Sequence, residues 1–74
     1  MDTVRQAFAA ALGVEDPDRL PLLLDVETAG RGAGLNKARA YAAIKDGSMP
    51  VVVVAGRKRV PTIAWLRKLA GEAA

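Results

Sequence analysis

One change of period restricts what this chain can fold into. Val51, Val52, Val53 and Val54 form a β-branched run too short for a convincing helix, so they read as a strand. Ala55-Gly56 supplies a turn, with glycine free to take positive φ. Arg57 to Val60 returns as a second strand, and Pro61 closes it. The result is a β-hairpin with a basic tip, in a chain that otherwise reads as helix and turn.

Helical spacing accounts for the rest. Val4, Phe8, Ala11 and Leu12 form one apolar stripe on a helix from about Thr3 to Leu12, capped by Asp2 or Thr3 and ended by Gly13. Val14 to Pro21 reads as a loop, because Glu15, Asp16, Pro17 and Asp18 favour turns. After Leu22-Leu23-Leu24, Asp25 is a good N-cap for a short helix from Val26 to about Ala33. Gly30 and Gly32 each weaken that helix by up to about 1 kcal/mol relative to alanine. Their presence predicts close approach of a neighbouring helix. Gly34-Leu35 turns the chain. Asn36 then caps a third helix from Lys37 to about Asp46, which Gly47 ends. The fourth runs from about Thr62 to Ala70, with Ile63, Leu66 and Leu69 on one stripe and Trp65 beside Leu69. Ile63, Trp65 and Leu66 read as core, as does the Val4-Phe8-Leu12 stripe, for which a dimer contact is the alternative.

Two short helices joined by a glycine turn make a helix-turn-helix unit, and a hairpin directly after it makes the unit winged. The expected fold is therefore mostly α with a small β-hairpin wing and an extra N-terminal helix. One domain spans residues 1–74: N-terminal helix and loop over 1–21, helix-turn-helix over 22–47, wing over 50–61 and C-terminal helix over 62–74. A domain this small buries only about 60% of the surface its unfolded chain exposes.

Composition excludes several functions. The chain has no cysteine and no histidine, so disulfides, thiolate metal sites, the usual general base and the commonest zinc ligand are absent. The acidic residues show no metal-ligand spacing, and no convergent set of titratable groups marks an enzyme. No catalytic residue, cofactor or metal is expected. No apolar run approaches the roughly 18 residues of a membrane span. Met1-Asp2-Thr3 carries no basic segment ahead of an apolar stretch, so a cytoplasmic protein is expected. Charge is unevenly spread. Residues 1–27 hold two basic and six acidic groups, a net of −4, whereas residues 28–74 hold nine basic and two acidic groups, a net of +7. A basic half on a small domain is the footprint of a phosphate-binding surface or, more blandly, a solvated face.

The run from Val26 through Gly30, Gly34, Asn36 and Arg39 to Tyr41 resembles the opening of the excisionase-type, MerR-like helix-turn-helix family. Ile44-Lys45-Asp46-Gly47-Ser48-Met49-Pro50 continues the likeness. Val54-Ala55-Gly56-Arg57-Lys58-Arg59-Val60-Pro61 is similar to the family's wing. The resemblance covers roughly residues 22 to 69. It implies a recognition helix in the major groove and a wing over the adjacent backbone or minor groove. The family includes phage excisionases, which bend DNA to direct an integrase, and small transcription regulators. This chain departs from it at Gly32, near which the family usually carries a large aliphatic. It departs again at Lys58, usually apolar, and at Ala42, often basic.

The candidate DNA-binding residues follow. At about 100° per residue, Ala40 and Ile44 point to the core while Ala38, Ala42 and Lys45 point away, with Arg39 and Tyr41 on the flanks. Lys37 lies in the first turn, where a helix N-terminus favours phosphate. Arg39 is the best base reader, since arginine bonds guanine O6 and N7 together. Tyr41 either bonds a phosphate through its hydroxyl or packs its ring under the wing; both can hold at once. Arg57 and Arg59 project to one strand face as phosphate or minor-groove contacts. Their alternative is charge that protects an edge strand from aggregation. Lys58 is expected to face the core side with Val60 and lay its stem there. The expected function is sequence-biased binding of double-stranded DNA as an excisionase or recombination directionality factor. Its expected partners are DNA, a phage integrase and further copies associating head to tail on DNA. It is expected to work in the cytoplasm, on the nucleoid. A small phage or bacterial transcription regulator is the alternative, and a protein-interaction module without DNA binding is the weaker one.

Overall fold

Local caps divide residues 2–71, the part described by the computed structural model, into short elements. They are α1 (Asp2–Ala11), β1 (Leu23–Leu24), α2 (Val26–Gly32), α3 (Lys37–Asp46), β2 (Val52–Val54), β3 (Arg57–Pro61) and α4 (Thr62–Leu69), with a 3₁₀ turn at Pro17–Arg19. The end of the expected C-terminal segment, residues 72–74, lies outside this range. Two caps act as the sequence indicates: Asp25 accepts the Thr28 amide at 2.6 Å, and Asn36 accepts that of Arg39 at 2.8 Å. Gly47 ends α3 in the left-handed conformation, with φ at +86°. The architecture is a helix-rich fold with a helix-turn-helix, α2 and α3, followed by a small β wing.

The sheet is antiparallel, in the order β1-β3-β2. Its first strand is an addition to the sequence reading. Leu23 pairs with Pro61 and Leu24 with Val60, so Pro61 is paired within β3 and is also the residue that ends it. The pairing is reinforced by Thr62, whose amide and hydroxyl donate to the Leu22 and Pro21 carbonyls. In the wing, Val52 pairs with Arg59, Val53 with Lys58 and Val54 with Arg57. Ala55 and Gly56 both take positive φ, +52° and +77°, the backbone of a type I′ hairpin turn.

The core gathers Phe8, Leu24, Val26, Ala29, Ala40, Ala43, Met49, Val60, Trp65 and Leu66. The indole Nε1 of Trp65 donates to the Ala29 carbonyl at 2.9 Å. That carbonyl is free because the end of α2 tightens: the Ala33 amide bonds Gly30 instead. This bond also sets the roll of α4. Thr62, Trp65 and Leu66 turn inward, and Ile63 faces outward at 55% exposure, so Ile63 is not core as its stripe suggested. On α1 the buried alanine is Ala9, not Ala11. The inward face is rolled toward Ala9, with Val4 and Leu12 half-buried against the core.

Both glycines of α2 have the close neighbour the sequence predicts. A Cβ on Gly30 would lie 2.5 Å from that of Ala40, so α2 and α3 cross in near contact. A Cβ on Gly32 would lie 2.5 Å from the Phe8 ring. The space beside Gly32 is thus filled by the Phe8 ring from α1, so the end of α2 is packed without a large side chain at that position.

Candidate nucleic-acid interface

The candidate surface is built on α3 and the wing. Ala40 and Ala43 lie against the core and Ile44 is half-buried, leaving Lys37, Ala38, Arg39, Tyr41, Ala42 and Lys45 exposed. The centre of the outer face is therefore alanine, flanked by charged and aromatic groups.

The wing joins one flank. Tyr41 of α3, Arg57, Lys58 and Arg59 of β3, and Asp25 and Val26 at the start of α2 line one shallow groove. Lys45, one turn beyond Tyr41, lies on the same flank. Paired residues of an antiparallel ladder share a face. Arg57 and Arg59 therefore stand with Val54 and Val52, and Lys58 stands with Val53. Lys58 does not reach the core. Val60 is fully buried, but the hairpin projects past the helices beyond it, and Lys58 is exposed.

Arg39 lies elsewhere. It borders a separate concavity with Leu35, Ala42, Asp46, Ser48 and Trp65, about 160° around α3 from Tyr41 at about 100° per residue. Lys37 is engaged too. Its Nζ lies 3.6 Å from a Glu27 carboxylate oxygen, both side chains being largely exposed. Such an exposed pair is worth only about 0–1 kcal/mol.

Two groups enter the site without having been read as part of it. Asp25 places a carboxylate in the basic groove. Its pKa is lowered chiefly by the Thr28 amide bond and then by the Thr28 side chain, with Arg59 and Arg31 adding to the effect and partial burial opposing it. The Nζ of Lys68 donates to the Gly47 carbonyl at 3.2 Å, tying α4 to the end of α3. Basic residues in the last turn of α4 were the available signal. Asp46, beside Arg39, also has a lowered pKa, from bonds with the Ser48 side chain and amide. Among the described residues no group of three or more acidic side chains is placed to hold a metal ion, and no helix is long and apolar enough to cross a membrane.

Fold and surface together define a winged helix-turn-helix with a basic, tyrosine-bearing groove between wing and second helix. No protein-family model, curated protein or solved structure matches the chain.

Proposed function

We propose that this protein binds double-stranded DNA, with α3 in the major groove and the wing over the neighbouring backbone or minor groove. One observation carries the reading: the basic strand segment Arg57-Lys58-Arg59 and Tyr41 line one groove beside the exposed face of a capped helix, with Arg57 and Arg59 on one face of the strand and Lys58 on the other. Arginine and lysine neutralise phosphates, and the tyrosine hydroxyl adds a neutral donor. Lys45 extends this contact along the same flank. Arg39, on the far flank, reads a base edge or meets the opposite strand.

The favoured role is that of an excisionase or recombination directionality factor, which arranges DNA for an integrase in the cytoplasm, on the nucleoid. The resemblance of residues 22 to 69 supports it, and so does the alanine centre of the outer face. A helix with few base-reading side chains gains specificity from several adjacent copies and from DNA that bends cheaply.

Titrating labelled duplex against salt tests the binding. With about 4–6 phosphates met per monomer, the log–log slope is expected at about −4 to −5. A flat response, or no complex at low salt, removes DNA binding and leaves an interaction module.

A further inference from the structure

A second concave surface shares no residue with α3 or the wing. Three adjoining depressions meet at Pro17, where the 3₁₀ turn lies beside α1. The first, about 300 Å³, is walled by Leu20, Pro21 and Leu22 on one side and by Ile63 and Leu66 on the other. Leu22 is 73% exposed and Ile63 55%, so large aliphatic side chains stand in water at its rim. The second depression is polar, lined by Asp2, Arg5, Gln6 and Asp18, and Glu15 borders the third. Arg5 is the one cation of this lining and pairs with both Asp2, at 3.9 Å, and Asp18, so with Glu15 the three carboxylates outnumber it.

We propose that this trough docks a short linear segment of a partner protein, with large apolar side chains followed by a cluster of lysine or arginine. Covering Leu22 and Ile63 removes apolar surface from water. The net negative charge of this lining, three carboxylates against the Arg5 guanidinium, fixes the segment's direction and selects its charge. The sign of that charge excludes nucleic acid. The chain's own wing does not fit, because pairing sets each valine abreast of a cation, whereas in the trough the exposed aliphatics Leu22 and Ile63 line a different depression from Asp2 and Glu15, with Arg5 and Asp18 at the junction. The proposal stands on apolar surface and charge and is independent of DNA binding. A copy held on DNA by α3 and the wing keeps its trough open.

The test titrates the isotope-labelled full chain with a synthetic peptide, a leucine pair followed by a run of lysines, and follows amide chemical shifts. A control peptide carries glutamates in place of lysines. Shifts at Arg5, Asp18, Leu22 and Ile63 with the lysine peptide alone are expected. The Leu22→Ser/Ile63→Ser double variant alters only exposed positions. It is expected to weaken the peptide about tenfold and to leave duplex binding unchanged. Equal response to both peptides, shifts centred on the wing, or unaltered affinity in the double variant overturns the proposal. Shifts that grow with protein concentration before peptide is added assign the trough to a second copy and overturn the partner assignment. Peptide binding that persists where duplex binding fails supports the trough and removes the DNA reading alone.

Discussion

Asp25 joins folding to the candidate surface through one carboxylate. It caps α2 through the Thr28 amide, and its charge faces Arg59 across the groove. Its folded pKa lies below the unfolded value of about 4. The stabilisation is therefore present above that value and is lost as pH falls through the folded pKa. Asparagine caps as well as aspartate but does not titrate. Asp25→Asn should leave stability near neutral pH almost unchanged and make the acid limb shallower, whereas Asp25→Ala should cost about 0.5–2 kcal/mol. Urea unfolding at neutral pH and at about pH 3 measures both; identical pH dependence in wild type and Asp25→Asn contradicts the assignment. A second prediction uses the separation of Arg39 from the wing. Arg39→Ala should weaken the preferred duplex by about 1–3 kcal/mol and relax discrimination at one base pair, while Arg57→Ala weakens all duplexes alike. Equal, sequence-blind losses in competition binding would reduce Arg39 to a phosphate contact. At this scale the sequence was informative wherever one residue sets one conformation. Asp25, Asn36 and Gly47 act locally, and their types announce it. Lys58 was misplaced because strand alternation gives a side but not the point where the core ends.

Between elements, the telling contact is that of α1 with α2. Gly32 and the Phe8 ring fill one space, so a methyl added at Gly32 has to push the ring aside. Gly32→Ala should therefore destabilise by about 1–3 kcal/mol through overpacking, despite alanine's better helix propensity. Phe8→Leu should cost stability alone yet relieve part of the Gly32→Ala loss. A double-mutant cycle by thermal or urea unfolding reads this coupling. Strict additivity would mean that Phe8 and Gly32 do not share the space. The glycines showed that something approaches α2, but not what. Ala40 follows from the neighbouring helix of a helix-turn-helix, whereas Phe8 comes from a helix outside the resembling stretch. The first strand escaped for a related reason. Leu23-Leu24 has no alternation to detect, and it is a strand only because Val60 and Pro61 lie alongside. The roll of α4 depends on a bond between Trp65 and Ala29, 36 residues apart. Periodicity could not choose between Ile63 and Trp65 for the inward face.

Over the whole molecule, the basic groove and the acidic trough share no residue, so two surfaces of opposite charge are presented independently. The charge asymmetry was plain in the sequence; its division into a groove and a trough needed the folded loop around Pro17. The proposed role follows from what the basic surface lacks. Ala38 and Ala42 occupy the centre of the outer face of α3 and offer no hydrogen-bond donor, while the wing concentrates arginine and lysine. Such a surface holds phosphates well and distinguishes bases poorly. Its selectivity is then expected to come from DNA deformability and from neighbouring copies. Several copies should load side by side on one natural site and curve it. Circular-permutation gel shifts should show mobility that depends on the position of the site in the fragment, and footprints should extend in steps as protein is added. A regulator using the same fold more often binds a palindrome as a closed two-fold dimer, with half-sites about one helical turn apart. A single short palindromic footprint with no mobility change would therefore exclude the architectural role and leave the regulator. Stepwise footprints with a bend would support the directionality factor, because curvature at a site poor in base contacts is what allows the wing's charges to follow the backbone.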